Sequence, residues 1–184
     1  LLNYDLEIQK IFYSDSVIRK IKKSFSITDS GNRVNLGIAD FQILVMLPNT
    51  KKEYLGWHQD SAYFKYSEKL YSNLVVWTPI SMTNKKINGS LDLIERSNNT
   101  GPINHNENLT KLRKQVSLSK RGRFFINHEK INLQNKVNIS VNSGESLIFD
   151  ANMIHRTSPN KTLSNDIRFT LIARYKNLTK LLLK

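Results

Sequence analysis

The chain has 184 residues, and 28 Lys+Arg against 15 Asp+Glu give it a net charge of +13. That length suits one good core, so a single domain over 1–184 is expected; with 39% hydrophobic and 23% charged residues and no bilayer-length apolar run, it does not read as a membrane protein. The absence of cysteine excludes disulfides, thiolate nucleophiles and cysteine-ligated zinc or iron-sulfur centres, and it fits a reducing cytoplasm, the expected location. The chain opens at Leu1 with no methionine and no basic-then-apolar leader, so its N-terminal part is expected to be incomplete. The charge would suit an anionic partner, although the lysines are scattered in small groups among asparagines and isoleucines, as a general composition bias would also scatter them.

In residues 1–25, Leu2, Leu6, Phe12, Val17, Ile18, Ile21 and Phe25 are spaced roughly as on helices, and Ser14 or Asp15 can cap the second of two short ones. From Val34 the pattern changes to short apolar runs, Val34 to Ile38 and Phe41 to Leu47, the latter closed by Pro48-Asn49; both read as strands. Tyr54 to His58 reads as the next strand, followed by a polar and aromatic loop, Ser61 to Tyr71, long enough for a lid. Leu74 to Ile80 and Leu91 to Ile94 read as strands, the second opened by Gly89-Ser90, while 95–135 is polar and irregular. Val137 to Val141 and Glu145 to Phe149 flank the turn Asn142-Ser143-Gly144 as a hairpin would, and Ile167 to Tyr175 is the final strand. Many short strands after N-terminal flanking helices point to a mainly β fold of the jelly-roll kind.

His58 and Asp60 stand two positions apart, and in extended backbone they project to one side, where an imidazole and a carboxylate can grip one ion. His155 is the best third ligand. Two histidines and one carboxylate on one face of an octahedral ion leave three positions open, as in non-haem Fe(II) oxygenases. An anionic co-substrate also needs a fixed cation at its far end, and Arg168, thirteen positions after His155 (168 minus 155), lies on the last strand. His105 and His128 lie in polar stretches and read as surface residues.

The motifs Trp57-His58-Gln59-Asp60, Trp77-Thr78-Pro79, Asn88-Gly89-Ser90-Leu91, Gly144-Glu145 leading to Phe149, and His155-Arg156-Thr157-Ser158-Pro159-Asn160 leading to Arg168 follow one another in order. Over Phe41 to Tyr175 the chain resembles the phytanoyl-CoA dioxygenase family of Fe(II)/2-oxoglutarate oxygenases. It departs from that family where Ser97-Asn98 replaces a usual Ser-His, at a position that is not a metal ligand. The resemblance implies a double-stranded β-helix (cupin-like jelly roll), with His58, Asp60 and His155 on Fe(II) and Arg168 on the distal carboxylate of 2-oxoglutarate. It places Gln59, Trp77, Thr157 and Gln42 where relatives contact the same co-substrate.

The implied reaction consumes O2 and 2-oxoglutarate, releases succinate and CO2, and hydroxylates an aliphatic carbon of a small, anionic metabolite. Asp60 favours hydroxylation, because halogenating relatives lack that carboxylate. Trp57, Tyr63 and Lys65 are the candidate substrate contacts, with Lys65 and Lys69 on the lid. The rival readings are a non-catalytic jelly-roll binding protein, a 2-oxoglutarate oxygenase acting on nucleic acid, and a zinc hydrolase. No aromatic-basic interleaving for base stacking is present, so no nucleic-acid partner is expected. A hydrolase would leave Arg168 unexplained.

Overall fold

The computed structural model describes residues 10, 12, 14–24, 36–49, 56–63, 73–81, 83, 87–108, 123–163 and 166–177. One helix, α1 (Asp15–Ser24), carries Asp15 in its first turn and Lys22 and Lys23 in its last, so its charges oppose the helix dipole. Its apolar stripe of Val17, Ile18 and Ile21 packs with Phe12 against the outer face of a four-stranded sheet. The first of the two expected helices falls almost wholly outside the described residues.

That sheet is antiparallel, in the order β1 (Leu36–Met46), β9 (Arg168–Asn177), β2 (Asn73–Pro79), β7 (Leu147–Asp150). A three-stranded sheet runs in the order β6 (Lys136–Ile139), β3 (Leu91–Ile94), β8 (His155–Thr157). Val75, Trp77, Phe149 and Ile172 of the larger sheet meet Leu91 and Leu93 of the smaller in one core. The result is a jelly roll. Strand β2 is buried on both sides because Leu74 and Val76 face α1 while Val75 and Trp77 face the core, which is why it reads as a continuous apolar run. A two-stranded ladder, β4 (Asn106–Asn108) with β5 (Arg123–Phe125), adjoins a smaller cluster of Trp57, Ile94, Ile126, Ile131 and Ile154.

Several sequence expectations need correction. Residues 36–38 and 41–46 of the two apolar runs belong to one strand, β1, whose interruption is a bulge between Ile38 and Asp40 and not a turn. The expected hairpin over 137–149 does not form: β6 pairs with β3 and β7 with β2, so the chain changes sheet at Asn142–Gly144. Val141 is held there by Thr83, through Thr83 N–H to the Val141 carbonyl (2.9 Å) and Val141 N–H to Thr83 Oγ1 (2.8 Å). A turn with glycine at positive φ (Gly144, +85°) serves such a corner as well as a hairpin, and the two apolar faces to be covered decide between them. Of the strand expected at Tyr54 to His58, residues 54–55 lie outside the described residues and His58 contributes a single bridge. The lid of Ser61 to Tyr71 is described only as far as Tyr63, so Lys65 and Lys69 lie outside it.

Candidate metal centre

His58 and His155 are partners in one antiparallel bridge, each donating its N–H to the other's carbonyl at 2.9 Å. The bridge puts the two imidazoles 4.3 Å apart, centroid to centroid. Each ring sets its Nδ1 at 2.8 Å from the carbonyl two residues earlier, Gly56 for His58 and Met153 for His155. A carbonyl only accepts, so Nδ1 carries a proton and Nε2 is the nitrogen turned to a metal. Asp60 Oδ1 lies 3.5 Å from His58 Nε2 and 3.8 Å from His155 Nε2. The three ligand atoms are mutually within 4.8 Å and all three residues are buried.

The clip is not formed by extended backbone throughout. Asp60 begins a short 3-10 helix, Asp60–Tyr63, whose Ser61 N–H is held by the Ala151 carbonyl at 3.1 Å. Gln59 anchors the turn: its amide donates to the carbonyls of Gly101 (2.9 Å) and Asn152 (2.6 Å) and accepts from Ile103 N–H (2.9 Å). His105, expected at the surface, accepts from Gln59 N–H at 2.9 Å through Nε2 and is half-buried. No spacing signal in the polar stretch around it marks that role.

Burial alone would push the Asp60 carboxyl up, but the Arg174 guanidinium, with His58 and His155, outweighs it and holds the group well below the usual carboxylate range. Burial, reinforced by His58 and opposed by Asp60, brings His155 down to about 3, so its imidazole is neutral and ready to ligate. The grip of Arg174 on Asp60 was not anticipated from sequence. Its Nε donates to Asp60 Oδ2 at 2.8 Å, its Nη2 to Oδ1 at 3.2 Å and its Nη1 to Asp40 Oδ2 at 2.7 Å. The available signal was the period of two on β9, which places Arg174 on the same face as Arg168, Thr170 and Ile172.

A recess opens beside the triad, walled by Leu44, Val75, Leu91, Phe149 and Ile172, with Trp77, Thr157 and Arg174 also lining it. Of the expected co-substrate contacts, Trp77 and Thr157 line this recess, while Gln59 is engaged as above and Gln42 is exposed, donating to Asp40 Oδ2 at 2.8 Å. Trp57 is buried in the smaller cluster under Arg156, whose guanidinium carbon sits 4.6 Å from its ring centroid. Tyr63 stands edge-on to His58 (6.1 Å) and to Phe124 (5.1 Å).

Arg168 is buried, with Nη1 donating to the Asn88 carbonyl at 3.0 Å. Its Nε and Nη2 meet no partner among the described residues. Burial lowers its pKa to about 10, which still leaves it charged at neutral pH. Gly89, at φ +76°, lies so close to Arg168 Nη1 and to the carbonyls of Ser158 and Pro159 that a Cβ would collide with all three. Two imidazoles and a carboxylate suit a divalent first-row ion, and a buried cation with two unused donors suits a carboxylate.

The family profile of phytanoyl-CoA dioxygenase (PhyH) matches residues 27–169. The chain belongs to the phytanoyl-CoA dioxygenase family. Comparison with curated proteins gives no match. Among solved structures, this PhyH-family chain is similar to EvdO2 from Micromonospora carbonacea var. aurantiaca, crystallised with 2-oxoglutarate, at TM-score 0.68 and 15% identity over 93% of the chain. It is similar to the apo form of the non-heme monooxygenase ThoJ at TM-score 0.67 and 16% identity over 92% of the chain. The epimerase SnoN, solved with Fe3+, alpha ketoglutarate and nogalamycin RO, aligns at TM-score 0.54 and 13% identity over 78% of the chain. These likenesses establish the jelly-roll fold. The PhyH-family chain spans 63% of EvdO2, 54% of ThoJ and 51% of SnoN.

Proposed function

We propose that this chain is the core of an Fe(II)- and 2-oxoglutarate-dependent oxygenase, with His58, Asp60 and His155 holding the iron and Arg168 seating the distal carboxylate of 2-oxoglutarate. The observation that carries this reading is the pairing of the triad with a buried arginine that keeps two unused donors. Strand β8 leads from His155 towards Ser158, whose carbonyl borders Gly89 beside Arg168. EvdO2 and SnoN, solved in complex with 2-oxoglutarate and alpha ketoglutarate, support the same co-substrate.

When bound, Fe(II) with 2-oxoglutarate and O2 supplies the oxidising power for hydroxylating an aliphatic carbon, with succinate and CO2 as co-products. The two imidazoles would present Nε2 to the iron, and Thr157 and Trp77, which line the recess, would flank the co-substrate. The apolar walls keep water from the reacting centre. Tyr63 remains the substrate-contact candidate nearest the metal residues, edge-on to His58.

The substrate is a small anionic metabolite, a reading supported by the net charge of +13, because a basic surface raises the local concentration of anions and their association rate. Anaerobic Fe(II) and 2-oxoglutarate titration, followed by a metabolite screen for substrate-stimulated succinate release, tests the activity. Failure to bind 2-oxoglutarate in the presence of Fe(II) would overturn it. For the substrate class, kcat/KM is expected to fall as salt rises while uncoupled 2-oxoglutarate turnover changes less. A neutral substrate turned over without salt dependence would overturn that part alone.

A further inference from the structure

Arg174 grips Asp60 along the edge on which a carboxylate chelates. A metal held by both oxygens of a carboxylate uses the lone pairs that point between them, and a side-on guanidinium fork uses the same pair. Arg174 Nε (2.8 Å to Oδ2) and Nη2 (3.2 Å to Oδ1) occupy that edge, while Oδ1 alone also faces the two imidazole Nε2 atoms, at 3.5 and 3.8 Å. Arg174 is itself held from the other side by Asp40, its direct cross-strand partner at the β1 bulge, at 2.7 Å from Nη1. Two carboxylates and one guanidinium leave the cluster with one negative charge beside the two imidazole rings.

We infer that Arg174 is a positioning residue that keeps Asp60 a one-oxygen ligand, and that Asp40 restores the negative charge Arg174 would otherwise cancel. The inference rests on the triad being a metal centre, as proposed above. Its consequence is stoichiometric. Two imidazoles and one carboxylate oxygen leave three of six octahedral positions open, enough for a bidentate 2-oxo acid and dioxygen together. A chelating Asp60 would leave two, and one of the three donor atoms would be shut out. A merely structural salt bridge between β9 and the Asp60 turn would stabilise the fold without controlling that count.

The test uses the full chain loaded with Mn(II), a redox-inert octahedral stand-in for Fe(II), and needs no turnover. Water-proton relaxivity per bound Mn(II) reports inner-sphere waters, and titration of free Mn(II) by its EPR signal reports affinity. Arg174→Met, which frees Oδ2, is expected to lower relaxivity per bound Mn(II) by about a third, one water in three. Arg174→Lys keeps the charge but cannot hold both oxygens, so it is expected to lower relaxivity too, and it decides the matter should Arg174→Met fail to fold. Asp40→Asn leaves the grip on Asp60 in place, so relaxivity should hold while affinity weakens about tenfold, as for outer partners of metal ligands. Unchanged relaxivity in the folded Arg174 variants would overturn the positioning role, and unchanged affinity in Asp40→Asn would overturn the charge role. A wild-type protein that binds no Mn(II) or Fe(II) would overturn the metal-centre reading and this inference with it.

Discussion

Arg168 and the two candidate ligand histidines make separable demands on the proposed site. A buried guanidinium whose Nε and Nη2 have no partner among the described residues is costly unless an anion meets it. Arg168→Leu is therefore expected to bind Fe(II) as wild type does while 2-oxoglutarate affinity falls by about 2 kcal/mol, a lost charge-assisted pair, measured by anaerobic calorimetry. His58→Ala and His155→Ala should each abolish stoichiometric Fe(II) binding in anaerobic titration, since each removes one of only three ligand atoms. Retention of full iron binding by both would remove the triad from consideration. The His-x-Asp spacing was legible because two residues in near-extended chain share a side, whereas Arg174 was not. An arginine before a tyrosine on a terminal strand looks the same whether it meets solvent or a ligand carboxylate, and only the register Asp40↔Arg174 shows which.

Strands β3 and β8 carry the candidate ligand His155 on one face and an ion pair on the other. Arg156 Nε donates to Asp92 Oδ2 at 2.9 Å, and Asn138 donates to Asp92 Oδ1 at 2.7 Å, so a residue from each strand of the smaller sheet joins one polar cluster over Trp57. Burial opposes ionisation of Asp92, but Asn138 and Arg156 together hold its pKa below the ordinary carboxylate value. A carboxyl depressed on folding stabilises the fold above its unfolded pKa, about 4, and that contribution is lost as pH falls through the folded value. Asp92→Ala should thus cost about 2 kcal/mol at neutral pH in urea unfolding, with the gap to wild type narrowing in acid. At the start of β3, Gly89→Ala forces a left-handed conformation on alanine and drives Cβ against two carbonyls and Arg168. A loss of about 2 kcal/mol is expected in the same assay, together with weaker 2-oxoglutarate binding.

At the scale of the whole chain, the ligands of the proposed centre come from the smaller sheet and from the turn that Arg174 ties to the larger one, so metal binding should be linked to global stability. Asp60 is tied to β9 through Arg174, His155 lies on β8, and His58 bridges to it. A ligand that binds only the native state adds RT ln(1 + [L]/Kd), about 2.7 kcal/mol at a hundredfold excess over Kd. Mn(II) or anaerobic Fe(II) should raise the thermal midpoint of wild type by several degrees and leave that of His155→Ala unmoved. No described helix is long and apolar enough to cross a membrane.

The sequence by itself determined the period-two strands, the jelly-roll class, the His58-x-Asp60 clip, its completion by His155 and the family, because those depend on local spacing and on motifs in order. Tertiary structure decided everything that depends on partner choice. The apolar runs around Gly144 suit a hairpin or a change of sheet equally well, and the need to cover both core faces chose the latter. The polarity of His105 and Gln59 suits the surface or a buried anchor, and the carbonyls of Gly101 and Asn152 and the N–H of Ile103 made Gln59 an anchor. Asp40 meets Arg174 across 134 residues because the β1–β9 pairing that sets Met46 opposite Arg168 runs unbroken to Asp40, a long-range register that no local pattern encodes.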